Sequence, residues 1–499
     1  MDNKMMIIIG VVVVAVVAVA GGYFIFYGNG NPSASSGPAD PTVINGLWVM
    51  GNADHDFDID NDDVTYIEGK IANGNLSDAD KFWCDANKDG VVDQKDVDFV
   101  KTLIDGKATT INYLNYNGVD SKGKLLGGAT TFNVPDADKP LYLMLEARCL
   151  AEEVLVTINK NLDHYIIVAA SKQCKDYDGQ LQFFSDTAKY PAAGQNVMMT
   201  TNCNISAEEV ATLESKFVEN SDSTYSSITK GNLVLCMGAD NYYNKGIEEK
   251  ISGYGSTQVV RLPSWENGYT VSGLMTFGYL FGSQGEITGT TSWEAANEYL
   301  TWNLKYNKII TDEVAKIADK KSMLNLSITE SGGAYTIKAQ STGTDPYNYS
   351  VLAGADNYGT KFSGTQANGS ITVTKENIAT YAKDVDVIIL QTPGEAFNAT
   401  TGPTNSTNCL NTGITQLDGY VKPTASIYSM TFCILNGAPY IISMVYYAKY
   451  LYSDNPVLGA LDPEAIYDEY LDLVGWGSRD LSYLVLTSGP GHTTTPLDS

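Results

Sequence analysis

The chain has 499 residues, a formal net charge of −26 and an isoelectric point near 4.4. It is longer than one hydrophobic core usually serves, so we expect roughly two to four folded units. The acidic balance leaves no basic stripe to neutralise phosphates, which excludes nucleic acid as a partner. With three histidines and no CxxC pair, histidine-based triads and structural zinc sites lose support.

The first predicted element is segment 5–27, MMIIIGVVVVAVVAVAGGYFIFY, which contains no charged residue. Its 23 residues, at about 1.5 Å each in a helix, would cover a hydrocarbon core roughly 30 Å thick. A cleaved signal peptide is the alternative, although its apolar region is usually shorter. We expect an uncleaved single-pass anchor in the cell membrane and a flexible linker over 28–45, with the bulk of the chain extracytoplasmic.

The next segment, 52–106, holds 15 Asp/Glu against 5 Lys and contains two twelve-residue stretches with oxygen-bearing side chains at alternate positions. Ca²⁺ binds about six to eight oxygens, which alternate residues of a tight loop supply. Gly90 at position 6 of the second loop permits the sharp turn, whereas Phe57 in the first loop departs from the pattern and predicts a weaker site. The predicted ligands at positions 1, 3, 5, 7 and 12 are Asn52, Asp54, Asp56, Asp58 and Asp63 in the first loop, and Asp85, Asn87, Asp89, Val91 and Asp96 in the second.

Each loop runs into a short helical stretch that ends in glycine, VTYIEGKIANG and VDFVKTLIDG. A duplicated loop and helix with Asp at position 12 resembles a dockerin, and the resemblance covers 46–106. It implies an all-α module with two Ca²⁺ sites that docks onto a cohesin-type partner. An acidic solvated linker is the alternative, but it gives no reason for two loops in matching register.

A β-rich segment, 107–135, precedes a region in which apolar strands alternate with helical stretches, the pattern of an α/β fold. One amphipathic helix is predicted over 292–320, because Tyr299, Trp302, Tyr306 and Ile310 recur at helical spacing. It separates lobe 1 (136–291) from lobe 2 (321–499), and we expect each to be a Rossmann-like lobe with a parallel sheet. The predicted strands are 141–145, 165–169, 232–236, 258–262, 334–338, 386–390 and 424–428.

Several blocks of this region, in order, resemble the periplasmic binding proteins of iron-siderophore, haem and cobalamin ABC importers. They include NVPDADKPLYLMLEARCLAEEVL, SDTAKYPAAGQNV, NISAEEVATL, STQVVRLPSW, VLAGADNYG and ITVTKENIATYAKDVDVIIL. The resemblance implies two α/β lobes joined by one long helix, a cleft for a metal chelate or tetrapyrrole, and an ABC importer permease as partner.

The same resemblance implies roles for single residues. Glu208 and Glu376, one on each lobe, would dock the permease; two solvated glutamates near helix N-termini are the alternative. A ligand cleft would be lined by aromatic residues, with arginine for ligand carboxylates. Because the chain has 32 tyrosines, surface or core positions explain many of them equally well. The predicted ligand-binding residues are Arg148, Tyr190, Asn202, Tyr242, Trp265, Tyr347, Tyr349, Tyr358, Ser429 and Met430.

Three functions stay open. The first is a membrane-tethered solute-binding protein without enzymatic activity. The second is a cell-surface adhesion or assembly protein that uses cohesin–dockerin pairing and has no transport role. The third is glycoside hydrolysis by paired carboxylates, although no pair stands out among so many acids. An open arginine-lined cleft would favour the first, and a cleft filled by tyrosines the second.

Overall fold

The predicted anchor and linker, 5–27 and 28–45, lie outside the residues that the structure describes. Within the described residues, no helix is long and apolar enough to cross a membrane. The computed structural model describes residues 46–119, 125–135, 141–145, 156–158, 164–171, 198–200, 205–212, 233–238, 246–252, 257–263, 269–284, 291–363, 366–367, 369–392, 402–435, 437–475 and 482–488.

Three short helices form the N-terminal module. They are α1 (Asn61–Asn73), α2 (Asp78–Trp83) and α3 (Gln94–Ile104). Each begins with a capping box, in which the N-cap side chain and the third helical residue satisfy each other's backbone N–H groups. The N-caps are Asp60, Ser77 and Asp93. The helix starts are therefore fixed by local sequence.

A hairpin and a parallel sheet follow. The hairpin strands β1 (Thr110–Val119) and β2 (Leu125–Asn133) pair antiparallel. The sheet of lobe 1 has the order β5-β4-β3-β6-β7, and all its neighbours are parallel. Its strands are β3 (Leu141–Leu145), β4 (Tyr165–Ser171), β5 (Met198–Thr200), β6 (Leu233–Met237) and β7 (Gln258–Arg261). Because β3 and β6 are buried along their whole length, they appear in the sequence as unbroken apolar runs.

The hairpin lies along β7, the edge strand of this sheet. The Gln258 side chain accepts a hydrogen bond from Asn133 N (2.7 Å) and donates one to Asn133 O (2.8 Å), while Asn115 Oδ1 accepts from Arg261 N (3.1 Å). These contacts cover an edge that would otherwise present unpaired backbone groups.

Two long helices follow the short helix α4 (Ile247–Ile251) and lie between β7 and β8 in chain order. All 13 residues of α5 (Thr270–Gly282) are buried, and α6 (Ser292–Val314) joins the two lobes. The helices cross closely at glycines of α5: a Cβ on Gly278 would lie 2.4 Å from the Ala296 Cβ, and one on Gly282 would lie 2.6 Å from the Ser292 backbone nitrogen.

We expect Gly282→Ala to lower the free energy of unfolding by about 1–3 kcal/mol, because the added methyl meets backbone atoms that cannot move aside. Urea denaturation would measure the loss. Gly69→Ala in α1 is the matched control: its Cβ meets nothing within 4 Å, so it should stabilise by roughly 0.5–1 kcal/mol. Equal effects of the two substitutions would contradict a close crossing.

Lobe 2 has a mixed sheet. Its order is β11-β12-β9-β8-β13-β14-β15, with β10 paired to β8. Strands β10, β8, β13 and β14 are parallel, and the flanking pairs are antiparallel. The strands are β8 (Ser322–Ser331), β9 (Ala334–Gln340), β10 (Asp356–Asn357), β11 (Gln366–Ala367), β12 (Ser370–Val373), β13 (Val387–Thr392), β14 (Ser426–Thr431) and β15 (Val485–Thr487). The helices are α7 (Asp345–Leu352), α8 (Lys375–Tyr381), α9 (Gly402–Leu417), α10 (Phe432–Leu435), α11 (Tyr440–Leu451) and α12 (Pro463–Leu473).

The expected α/β class, with two lobes and one long connecting helix, is confirmed, with three corrections. The sheet of lobe 2 is mixed rather than wholly parallel. The connecting helix ends at Val314 instead of 320, because the chain must turn before β8 begins at Ser322. Strand β8 and helix α5 were absent from the sequence prediction: Ser and Asn interrupt the apolar residues of SMLNLSITES, and α5 is apolar all round and so has no amphipathic period.

The core is continuous across these units. Buried residues of the module, lobe 1, α6 and one face of the lobe 2 sheet form one hydrophobic cluster. The other face of that sheet packs on α8 and α9 as a second cluster. The module that the sequence delimits at 46–106 therefore shares a core with lobe 1.

Candidate functional site

The two predicted calcium loops have matching backbones. His55 and Lys88 both occupy position 4 of their loops, and they have φ angles of 69° and 62°. In the described part of the chain they are the two non-glycine residues with positive φ. Because L-residues rarely adopt this conformation, its recurrence at one loop position indicates a common loop geometry.

The aspartates at position 12 are held in the same way. Asp63 accepts hydrogen bonds from Asp54 N (3.3 Å) and Asp60 N (2.9 Å), the N–H groups of positions 3 and 9. Asp96 accepts from the same positions, Asn87 N (3.1 Å) and Asp93 N (2.8 Å). The last carboxylate of each loop thus fastens the loop to the start of its helix.

The loops differ at positions 1 and 6. In the second loop, Gly90 has φ +87° and its N–H donates to Asp85 Oδ2 (3.0 Å). In the first loop, Phe57 is buried, and the Asn52 amide donates to Asp56 O (2.8 Å). The hydrogen bonding of the two loops therefore differs at position 1, where an amide replaces a carboxylate, and the weaker site expected from Phe57 stays a prediction.

The electrostatics of the first loop favour a cation. Burial and neighbouring carboxylates raise the pKa of Asp56 to about 7 and that of Asp58 to about 6. Burial also raises the pKa of Asp63 to about 8, with the Asp54 charge adding to the rise. In the second loop the Val91 N–H and the Lys95 ammonium lower the pKa of Asp89. The first loop thus concentrates carboxylates that no Lys or Arg balances within the part of the chain that the structure describes.

The first loop offers oxygen donors of the type that a hard cation such as Ca²⁺ takes. Asn52 Oδ1 and Asp58 Oδ1 are buried oxygens without a hydrogen-bond partner in the described structure, and Ca²⁺ prefers oxygen ligands. Over the same residues, no three His, Cys, Asp or Glu side chains converge as they would around a metal ion. The loop carboxylates accept hydrogen bonds from backbone N–H groups instead.

A buried carboxylate joins the first two helices of the module. Asp80, which is 5% exposed, accepts hydrogen bonds from Tyr66 Oη (3.0 Å), Lys70 Nζ (2.9 Å) and Ser77 Oγ (2.6 Å). Burial by itself would raise the pKa of Asp80, but these hydrogen bonds outweigh it and lower the pKa to about 2.

We expect Asp80→Asn to reduce stability by about 2 kcal/mol at neutral pH. The folded-state pKa lies below the ordinary value of 3.8, so the stabilisation is present above pH 4 and is lost as the pH falls towards 2. The difference between wild type and variant in urea unfolding should therefore shrink over that window. Asp78→Asn, with a 73% exposed carboxylate, is the control and should have little effect. A difference that persists at pH 2 would contradict the assignment.

The carboxyl ends of parallel strands meet at one edge of the lobe 1 sheet, and the strand order reverses between β3 and β6. Ligands bind at such an edge in open α/β sheets. The predicted residues of lobe 1, Arg148, Tyr190, Asn202, Tyr242 and Trp265, lie outside the described residues. Four of them follow the ends of β3, β5, β6 and β7 within a few positions.

Arg261 is a residue of this edge that the sequence prediction missed. It ends β7 and is 1% exposed. Its guanidinium forms a two-point ion pair with Glu248, through Nε to Oε1 and Nη2 to Oε2 (3.0 Å), and Nη1 donates to Gly238 O (3.2 Å). The arginine thus ties β7 to the end of β6 and to α4. An arginine that closes an apolar strand, as in QVVR, was the available signal.

In lobe 2, Tyr349 belongs to a buried network. Its ring stacks on Tyr440 with centroids 4.5 Å apart, and Tyr440 Oη donates to Asn303 Oδ1 (3.0 Å). Asn303 in turn donates to Tyr299 Oη (3.3 Å), which donates to Ala438 O (2.6 Å). This network fastens the connecting helix α6 to lobe 2.

The other predicted residues of lobe 2 are mostly inaccessible. Ser429 and Met430 are fully buried in β14, and Tyr358 is 7% exposed. Tyr347 is partly exposed, and burial raises the pKa of its phenol. The buried residues, Tyr349 included, would reach a ligand only after neighbouring side chains move, so their binding role stays a prediction.

A TroA-like periplasmic binding protein, FepB, from Veillonella parvula is similar over 73% of this chain and 97% of its own, with 16% sequence identity and a TM-score of 0.52. This chain has the fold of a periplasmic binding protein. A second periplasmic binding protein from Veillonella parvula matches over 69% of this chain and 98% of its own (13% identity, TM-score 0.43). A periplasmic heme binding protein from Pseudomonas aeruginosa matches over 62% and 92% (13% identity, TM-score 0.38). No protein-family model matches the sequence, and no curated protein does.

Within this periplasmic binding protein fold, Glu208 and Glu376 are exposed near the starts of helices, one in each lobe. Neither forms the helix cap. In lobe 1 the capping glutamate is Glu209, whose Oε2 accepts from Ser206 N (2.6 Å), and in lobe 2 the cap is completed by Asn377. Both carboxylates lie in the first turn of a helix, where the helix dipole favours a negative charge, so the alternative of two solvated glutamates stays open beside the docking role.

Proposed function

We propose that this chain is an extracytoplasmic solute-binding protein of an ABC importer, with an iron chelate, haem or a cobalamin-type compound as its ligand. The observation that carries this proposal is the fold: two α/β lobes, joined by one long helix, over the length of a TroA-like periplasmic binding protein. The ligand would lie between the lobes, at the carboxyl edge of the lobe 1 sheet. The function is binding and delivery, without catalysis.

Two features support a cleft that closes little. The Tyr299–Asn303–Tyr440 network fixes α6 to lobe 2, and the close glycine crossing fixes α5 to the same helix. A connecting helix that is buried and bonded along one side resists bending, because bending would break these contacts. Glu208 and Glu376 would then present two charges at a fixed separation to arginines of the permease.

The N-terminal module adds a second binding function to the proposal. It would be a dockerin-like module that binds Ca²⁺ in two loops and docks a cohesin-type partner, while segment 5–27 tethers the chain to the membrane. The matching loop backbones and the partnerless buried oxygens of Asn52 and Asp58 support the calcium sites.

Ligand titration tests the solute-binding function. Residues 46–499 would be titrated with haem, cobalamin and ferric siderophores while absorbance and tryptophan fluorescence are followed. We expect saturable binding of one class at micromolar or lower concentration, and a loss of at least tenfold in Arg148→Ala if the ligand carries carboxylates. Tyr335→Ala, at a 44% exposed position on β9, is the control. Absence of binding by a folded chain would overturn the importer function.

Calorimetry tests the calcium sites separately. We expect two Ca²⁺ per wild-type chain and one each in Asp63→Ala and Asp96→Ala, because each variant loses the carboxylate at position 12 of one loop. Asp98→Ala, at an exposed position of α3, should keep both sites. Identical stoichiometry in all four proteins would contradict the loop assignment.

A surface-assembly role is the second candidate. It is favoured by the burial of Tyr349, Tyr358, Ser429 and Met430, since a lobe 2 edge filled by its own side chains leaves less room for a ligand. In that role the cohesin-type partner would be bound and no solute would be.

A further inference from the structure

Both ends of the N-terminal module form hydrogen bonds with helix α5 of lobe 1 or with the residues that directly follow it. At the start of the module, Gly46 N donates to Ser272 Oγ (3.2 Å) and Trp48 N donates to Thr276 Oγ1 (3.0 Å). Both hydroxyls belong to α5, on successive turns. Trp48 is fully buried and packs against Tyr116 and Tyr269, with ring centroids 5.9 and 5.6 Å away.

The other end of the module contacts Gln284, which lies two residues after the end of α5. Gln284 is 6% exposed; its Oε1 accepts from Ala108 N (2.9 Å) and its Nε2 donates to Leu103 O (3.2 Å). A single amide therefore joins the end of α3 to the end of α5. Breaking this contact would leave buried polar groups without partners, which is costly.

The same segments are bonded to the calcium loops. Leu47 N donates to Asp56 O (2.7 Å) of the first loop, and the Asn52 amide bridges Leu47 O (2.7 Å) and Asp56 O. A Cβ on Gly46 would lie 2.4 Å from Asp56 O, so the segment and the loop are in close contact. In the second loop, Ala86 O accepts from the Asn112 amide of strand β1 (2.8 Å).

We infer that Ca²⁺ bound in the module stabilises lobe 1, because the loops, segment 46–50 and helix α5 form one cooperative unit. The inference rests on the proposed calcium sites and assigns them a regulatory role beyond partner docking. Bound calcium would raise the free energy of unfolding of lobe 1. Removal of the calcium would make opening of α5 and of the lobe 1 sheet more frequent. Through Gly278 and Gly282 the effect would extend to the connecting helix α6.

Linkage sets the size of the effect. A ligand that binds the folded unit and not the open one lowers the open population by the factor 1 + [L]/Kd. Each of the two sites contributes this factor, so at a calcium concentration about 10 times the Kd of both sites, amides that exchange through opening of the whole unit should slow about 100-fold.

Hydrogen exchange on residues 46–499, read by mass spectrometry with calcium and with EGTA, tests the inference. We expect calcium to slow exchange about 100-fold in β6 (Leu233–Met237) and α5, which contain no calcium ligand. In Gln284→Ala the slowing in these segments should fall at least tenfold, while calorimetry still finds two bound Ca²⁺. Thr301→Ala, which removes an exposed hydroxyl of α6, should behave as wild type.

The outcomes separate the two proposals. If calorimetry finds bound calcium and exchange in β6 and α5 is the same with EGTA, the coupling is wrong and the calcium sites stand. If no calcium binds to the folded chain, the proposed calcium sites fail, and the coupling fails with them.

Discussion

A chain that begins at residue 107 is expected to lose the cooperative unfolding of lobe 1, whereas a chain that begins at residue 46 should keep it. Residues 46–106 supply part of the core that covers α5, including the fully buried Leu47, Trp48 and Val49. Replacing one buried tryptophan by alanine usually costs about 3–5 kcal/mol, and a whole domain is stable by only about 5–15 kcal/mol. The free energy lost on removal of the module therefore exceeds the free energy of unfolding that lobe 1 has available.

Urea unfolding followed by circular dichroism would compare the two chains. Trp48→Ala is the intermediate case, and its free energy of unfolding should be about 3–5 kcal/mol below that of wild type. For the chain from 107 we expect a broad, weakly cooperative transition and binding of a dye specific for exposed apolar surface. If its transition were as sharp as that of the chain from 46, the module would be an independent domain.

The second large effect is expected at the buried ion pair of lobe 1. Glu248→Gln removes the carboxylate charge that pairs with Arg261, which is 1% exposed, and should lower the free energy of unfolding by about 2–4 kcal/mol. We place the cost below that of a fully buried pair because the Glu248 side chain is 40% exposed and water can reach it.

Two further variants make this prediction specific. Glu249→Gln changes the adjacent, exposed glutamate and should leave stability within about 0.5 kcal/mol of wild type. Adding Arg261→Met to Glu248→Gln should recover much of the loss, since the buried guanidinium that has lost its Glu248 carboxylate is then removed. Similar unfolding energies for Glu248→Gln and Glu249→Gln would show that the ion pair carries little stability.

Some features of this fold were predictable because short stretches of sequence decide them. The strand runs LYLML and NLVLC are apolar because both faces of a parallel sheet are buried, and they were located to within one or two residues. The N-terminal part of the connecting helix was equally clear, because its apolar stripe and its Thr291 capping box are local signals. The cleft was less predictable: Tyr349, placed there by resemblance, stacks on Tyr440 in the core, and its binding role stays a prediction.

By itself, the sequence determined the α/β class, the division by one long helix and the two twelve-residue loops, since periodicity and ligand spacing are properties of neighbouring residues. Only the tertiary structure decided that the loop module shares the core of lobe 1, that α5 lies wholly inside, and that Arg261 pairs with Glu248. These contacts join positions far apart in the chain, such as Gly46 with Ser272. They depend on how separate elements pack together, and no local pattern of residues encodes that arrangement.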